Sequence, residues 1–288
     1  MFIDNNYIFA ITDGYPSNLY VYNKTNLSLV YLNNSYYQLA EYGWEQFLSD
    51  ENYFYTYGSS ELCIYNKTDL ITPFQNVTCV SYDLGRSIFD IYLTNGSLYV
   101  WVPSNSNGEV MTYNVSDNFS ITNIINISDI IGPVASSAGE FSVDGNRMYF
   151  ADRSQNIYIF ENNANILNIT EAGQSMHQLY IDGELLYGTG SASGVSLLDI
   201  WNKTDGNLIK QIIIENSSLY GNEVYSDASW IYADNNYISV GGLEYLTFNS
   251  GWSKVYNKSN YNVVKEYAAS GWSTDYNQRD MRDAFFGS

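Results

Sequence analysis

Basic charge is scarce. The chain has 12 Lys plus Arg against 31 Asp plus Glu, a formal net charge of −19 over 288 residues. With no basic stripe to neutralise phosphates, nucleic acid and anionic lipid surfaces are excluded as expected partners. Histidine is scarcer still. The only one is His177, in a loop or strand start, so Ser-His-Asp or Cys-His catalysis has a single base to draw on and no recognisable partner set. Two cysteines, Cys63 and Cys79, are too few for a disulfide scaffold or a zinc site. They form either one disulfide in an oxidising compartment or two free thiols. No phosphate-cradling glycine loop or dinucleotide fingerprint occurs, and no cofactor or metal is expected. No apolar run reaches about 18 residues, so no membrane span is expected. Met1-Phe2-Ile3-Asp4 lacks the basic start and apolar core of a signal peptide, so export would need a trimmed mature form or another route. Helix formers are thin, and no long segment keeps a 3.6-residue apolar period.

What remains is a chain built for strands and turns. It has 29 Tyr, 34 Asn, 33 Ser and 14 Thr, and 45% of its residues are hydrophobic, which rules out wholesale disorder. Tyr, Val, Ile and Thr suit strands; Asn, Gly, Ser and Asp suit turns. The acidity reads first as a means of solubility. A sharper reading is an acidic or hot habitat, because a polar surface of amides, hydroxyls and phenols keeps its hydrogen bonding where carboxylates lose charge.

Two turn patterns each recur six times. The first is an aromatic residue entering a polar turn: Tyr22-Asn23-Lys24-Thr25, Tyr65-Asn66-Lys67-Thr68, Tyr113-Asn114-Val115-Ser116, Phe160-Glu161-Asn162-Asn163, Trp201-Asn202-Lys203-Thr204 and Tyr256-Asn257-Lys258-Ser259. The second is an Asp, Asn or Gly turn entering an apolar or Tyr-bearing strand, beginning at Asp4, Asp50, Asn95, Asp144, Asp182 and Asp234. The two alternate without exception, so each repeat of roughly 45 residues holds two hairpins and four strands. Calling the strands a to d, the second pattern is the a–b turn and the first is the c–d turn. In the last repeat, a covers 228–233, b 237–241, c 252–256 and d 263–267.

These repeats resemble those of β-propeller proteins of the WD40 and surface-layer type, over residues 1 to about 268. The WD40 Trp-Asp dipeptide and its Gly-His partner are absent, so the resemblance is architectural, and the fourth repeat departs with Glu161 where the others carry Asn. The expectation is an all-β fold, a six-bladed β-propeller of four-stranded antiparallel blades over 1–268 with a C-terminal tail at 269–288. A β-sandwich or β-helix is the competing fold. A seventh blade would need strands within 270–288.

Thirteen N-x-[ST] sequons occur: Asn23, Asn26, Asn33, Asn66, Asn76, Asn95, Asn114, Asn118, Asn126, Asn168, Asn202, Asn216 and Asn257. That is more than twice what chance placement in this composition gives, although a single sequon is weak evidence. Asn23, Asn66, Asn114, Asn202 and Asn257 occupy the c–d turn in five of six repeats. Asn33, Asn76, Asn126, Asn168 and Asn216 are expected late in strand d or just after it. Glycans there would block edge-to-edge pairing of the outermost strand. The competing reading is that Asn-Lys-Thr is simply good turn chemistry.

The b–c and d–a loops hold Tyr15, Tyr36, Tyr37, Tyr42, Trp44, Tyr82, Tyr220, Tyr225 and Tyr245. Tyrosine offers contact area at low entropic cost, so this end is the expected docking face, the alternative being aromatic filler between blades. Asp13, Glu41, Asp83, Glu171 and Glu223 are the carboxylates that a glycosidase-like site would draw on. The function expected is a secreted, N-glycosylated, non-catalytic structural or interaction subunit of an extracellular filament, surface layer or virion surface. Its expected partners are copies of itself or other cell-surface proteins. A carbohydrate- or receptor-binding adhesin and a glycoside hydrolase or lyase are the alternatives.

Overall fold

A computed structural model describes residues 2–3, 7–11, 17–36, 47–50, 52–57, 61–66, 77–81, 90–102, 108–117, 119–131, 140–152, 156–169, 175–192, 195–214, 226–244 and 250–269. Within them the strands follow one another as antiparallel neighbours, four to a sheet. The first sheet holds β1 (Phe2–Ile3), β2 (Tyr7–Ile11), β3 (Ser17–Asn23) and β4 (Leu29–Tyr36). The second holds β5 (Phe47–Ser49), β6 (Tyr53–Tyr57), β7 (Glu61–Asn66) and β8 (Val77–Ser81). The third holds β9 (Asp90–Thr94), β10 (Ser97–Val102), β11 (Glu109–Asn114) and β12 (Ser120–Asn126). A short helix, α1 (Ile127–Ile131), precedes the fourth sheet of β13 (Glu140–Asp144), β14 (Arg147–Ala151), β15 (Ile157–Glu161) and β16 (Ala164–Ile169). The fifth holds β17 (Ser175–Asp182), β18 (Leu185–Ala192), β19 (Val195–Asn202) and β20 (Leu208–Ile214). The sixth holds β21 (Ser226–Ala233), β22 (Tyr237–Glu244), β23 (Ser250–Asn257) and β24 (Val263–Ala269).

The six sheets fall into two compact units of three, the first to third and the fourth to sixth. The single six-bladed ring expected from the sequence goes beyond this observation. The strands of the last sheet start at or before the expected positions and end at or after them, and β24 reaches Ala269, one residue into the expected tail. Residues 270–288 lie outside the described residues.

The middle strands explain why sheets stack on sheets. In β10, Val100, Trp101 and Val102 are all buried. Consecutive strand residues face opposite ways, so both faces of the sheet are covered. The same holds for Met148 to Ala151 in β14 and for Leu197, Leu198, Ile200 and Trp201 in β19. The cores accordingly lie between consecutive sheets. Tyr55, Leu62 and Ile64 of the second sheet pack with Leu98, Val100 and Tyr113 of the third. Tyr149 and Ile159 of the fourth pack with Leu179, Leu186 and Trp201 of the fifth. Tyr187, Leu198 and Ile200 of the fifth pack with Ile238, Val240 and Tyr256 of the sixth.

The first strands of consecutive sheets meet, β13 with β17 and β17 with β21. Both β17 and β21 carry a bulge, which steps over His177 in one and Ser229 in the other. Beside the second bulge the Ile231 amide donates to Gln178 Oε1 at 2.7 Å, tying β21 to β17.

The aromatic of the c–d pattern is a core residue: Tyr113, Phe160, Trp201 and Tyr256 are each buried. Trp201 lies against Gly188, where an added Cβ would stand 2.8 Å from the indole ring and 3.0 Å from the Met176 sulfur. Neither the rigid ring nor the packed strand can yield cheaply. Gly188→Ala should therefore lose about 1–3 kcal/mol of stability, read as a fall in Tm by differential scanning calorimetry. An unchanged Tm would show that this seam has slack.

Candidate functional site

The c–d turns are built on the asparagine side chain. Asn23, Asn114, Asn202 and Asn257 are each the last residue of the third strand of a sheet. Their Oδ1 atoms accept the backbone N–H two residues on, from Thr25 at 2.9 Å, Ser116 at 3.0 Å, Thr204 at 2.8 Å and Ser259 at 2.9 Å. This is an Asx-turn, in which a short side chain satisfies backbone donors the chain reversal would leave open. The Ser116 and Ser259 hydroxyls donate to the same oxygens at 2.8 and 2.6 Å. Asn26 repeats the arrangement, accepting from the Ser28 amide at 3.0 Å and its hydroxyl at 2.8 Å.

Each of these turns ends on a residue in the left-handed region: Leu27 (φ 56°), Phe119 (φ 56°), Gly206 (φ 71°) and Tyr261 (φ 60°). A non-glycine residue there costs about 1–2 kcal/mol. Packing offsets it where the previous sheet is at hand. The Phe119 ring meets Tyr53 edge-on at 5.3 Å and Tyr55 at 6.1 Å. Tyr261 packs on the core between the fifth and sixth sheets. Gly206 lies so close to Ile169 and Leu167 that a Cβ would come within 2.9 Å.

The fourth sheet is built differently. Asn162 and Asn163, both with positive φ (52° and 65°), make a two-residue hairpin of the mirror-image kind. Glu161, the departure seen in the sequence, pairs with Arg147 at 3.1 Å and accepts from Asn146 Nδ2 at 2.9 Å. It ties the c–d turn to the a–b turn of its own sheet, and its hydrogen bond raises the Arg147 pKa despite some burial.

Lysine at the centre of the c–d triplet reaches the preceding sheet. Lys203 Nζ stands 2.6 Å from Asp144 Oδ2 and 3.9 Å from Glu184 Oε1. Lys258 bonds Asp182 in the same way. Burial works against the Lys203 charge, but the hydrogen bond and attraction of Asp144, with Glu184, outweigh it and hold the pKa above its ordinary value. The acceptors are the aspartates of the a–b turns, so the two repeated turn patterns are partners across a seam. A double-mutant cycle with Lys203→Met and Asp144→Asn should show a coupling of about 0.5 kcal/mol, since the aspartate is partly exposed. No coupling would mean that the pair is incidental.

The outermost strands carry exposed apolar side chains: Ile121 and Ile124 on β12, Ile166 on β16, Leu208, Ile209 and Ile213 on β20, Val263, Val264 and Tyr267 on β24. Ile213 is 59% exposed and Val264 54%. An edge strand with open N–H and C=O groups plus β-branched side chains is a template for further pairing. Lys210 and Lys265 are the basic residues on these four strands.

No family model matches the chain, and no curated protein matches it by sequence. Solved structures do. The WD40 β-propeller domain of Doa1 aligns with a TM-score of 0.59 at 11% identity, covering 92% of this chain and 79% of that one. Hsv2 of Kluyvelomyces marxianus aligns with a TM-score of 0.57 at 10% identity, covering 83% and 69%. BamB of Moraxella catarrhalis aligns with a TM-score of 0.55 at 10% identity, covering 83% and 67%. The fold is a β-propeller. Its blades are four-stranded and antiparallel, and at these identities the likeness carries the fold alone.

On this propeller the expected glycan sites separate. Asn23, Asn26, Asn114, Asn202 and Asn257 come together as the turn set just described. Asn95, exposed, sits with Gly96 in the a–b hairpin of the third blade, both at positive φ. Asn33, Asn126 and Asn168 lie in β4, β12 and β16, as expected. Asn168 is exposed and accepts from Asn165 Nδ2 at 2.6 Å. The turn after Asn66, and the positions of Asn76, Asn118 and Asn216, lie outside the described residues.

So do Tyr15, Tyr37, Tyr42, Trp44, Tyr82, Tyr220, Tyr225 and Tyr245, and the carboxylates Asp13, Glu41, Asp83, Glu171 and Glu223. Tyr36 ends β4 and His177 occupies the β17 bulge, each by its backbone alone. Cys63 is disulfide-bonded, and Cys79, the one other cysteine in the chain, stands directly across from it in the β7–β8 ladder. Among the described residues no group of His, Cys, Asp and Glu could hold a metal ion, and no helix is long and apolar enough to cross a membrane.

The sequence reading missed the lysine seam and the apolar outer strands. Lys recurs at the centre of four c–d triplets and Asp recurs at five a–b turns, a pairing signal that was available.

Buried phenols set the alkaline limit. Tyr55 and Tyr187 are held far above the ordinary value by burial, the first also by its 2.6 Å hydrogen bond to Asp50. Burial, then the charge of Asp152, pushes Tyr158 from 10.0 to about 12. The folded state keeps a proton that the unfolded chain releases, so this stability is whole below pH 10 and is lost as pH rises toward 12. Unfolding followed by circular dichroism should begin on the alkaline side of pH 10, and Tyr158→Phe should flatten that slope. A slope unchanged in the variant would remove Tyr158 from the account.

Proposed function

We propose that the protein is a secreted, N-glycosylated, non-catalytic six-bladed propeller, serving as a structural or interaction subunit of an extracellular assembly. The observation that carries this reading is the outer strand. It presents open backbone groups and large apolar side chains with few lysines, and sequons lie on those strands and in the turns that lead into them. Such an edge needs a cover. Carbohydrate supplies one that is bulky and soluble, and contact with another subunit supplies the other. Six four-stranded sheets with one strand order support the blade count. The cross-strand disulfide supports an oxidising compartment.

Proteins are the partners that fit best, either copies of this chain or other surface proteins. The strong acidity disfavours nucleic acid. The tyrosine-rich loops at the end opposite the sequon turns are the proposed docking face. The full chain, exported from a host that N-glycosylates, should have an intact mass above that of the bare polypeptide. It should fall to the polypeptide mass on enzymatic deglycosylation, and light scattering should show particles larger than one chain. An unmodified mass with a strictly monomeric particle would overturn the proposal.

A further inference from the structure

We infer that the turn asparagines Asn23, Asn26, Asn114, Asn202 and Asn257 carry N-linked sugar on Nδ2 in the folded protein, and that the turn needs only their Oδ1. The inference rests on the glycosylated reading above and assigns it to particular atoms. A backbone N–H can be accepted only by the carboxamide oxygen, so the Asx-turn fixes which way each side chain is turned. Oδ1 takes the amide two residues on in all five turns, at 2.8 to 3.0 Å. Among the described residues these Nδ2 atoms make no hydrogen bond to protein, and none is among the buried polar atoms that lack a partner. Asn26 is exposed outright. One carboxamide thus serves two purposes through two atoms: oxygen inward for the backbone, nitrogen outward for modification.

The chemistry asks nothing of the fold. Nδ2 attacks C1 of a sugar activated as a lipid- or nucleotide-linked phosphate. The N–C1 bond forms, the C1–O bond to phosphate breaks with its electron pair leaving on phosphate, and one Nδ2 proton passes to a base of the transferase. The product amide still has its carbonyl oxygen, so the turn's hydrogen bonds survive. In an antiparallel four-stranded sheet, the c–d and a–b turns share one end and the b–c loop lies at the other. The sugars on these five residues therefore lie at one end of each blade that bears them.

The test is glycopeptide mapping of the exported full chain, with three variants at one turn. Peptides holding these five residues should be occupied. Asn202→Asp keeps an acceptor oxygen and loses the nitrogen; Thr204→Val keeps Asn202 and loses the sequon. Both should lose one glycan from the intact mass and keep the Tm of the enzymatically deglycosylated parent. Asn202→Ala should lose the glycan and lower that Tm. A chain glycosylated on the strand sequons but bare at all five turns would overturn this inference and leave the wider reading standing. A chain with no sugar anywhere would overturn both. A Tm in Asn202→Asp as low as that of Asn202→Ala would overturn the division of labour between the two atoms.

Discussion

Burial of both faces of the middle strands is the constraint from which the rest follows. A single antiparallel sheet commonly keeps one face wet. Here β10, β14 and β19 bury apolar residues on both faces, so their sheets cannot be stable until another lies against each face. That packs sheets face to face with cores between them and, among the described residues, leaves the fourth strands and the chain reversals most open to water. Everything that could be functional is pushed to those outer places.

Much of this was legible before any coordinates. The alternation of two turn types marked both hairpins of every repeat, because Asn, Gly and Asp report directly on backbone conformations that other residues resist. The aromatic ahead of each c–d turn was legible as a strand end, and the burial of Tyr113, Phe160, Trp201 and Tyr256 follows from their size. The lengths and conformations of the turns were less so. Leu27, Phe119 and Tyr261 hold positive φ with side chains that give no local warning; for Phe119 and Tyr261 the strain is offset by contacts with a neighbouring sheet and not by their own sequence. Helix α1 was missed for a related reason. Five residues are too few to show a period.

The site was legible only in outline. Sequons are visible as strings, but a string does not say whether the asparagine is there for the backbone or for sugar. The hydrogen bonds show that in the c–d turns it serves the backbone, which explains the recurrence without any modification. The proposal for sugar then rests on the free nitrogen and on the outer strands. Lys203 and Lys258 illustrate the opposite failing: each looks like the indifferent middle residue of a sequon, yet each reaches an aspartate on the preceding sheet. Contacts between repeats are invisible to a reading made one repeat at a time.

The two-residue hairpin of the fourth blade has a consequence of its own. A molecule assembled from near-equivalent units offers a partner several interchangeable orientations, and an assembly that must grow in one direction cannot use such a surface. The compact Asn162-Asn163 reversal, with its Glu161–Arg147 clasp, makes the fourth blade distinguishable from the first, third, fifth and sixth, whose turns are built on asparagine. It gives that blade a surface feature that those four do not share.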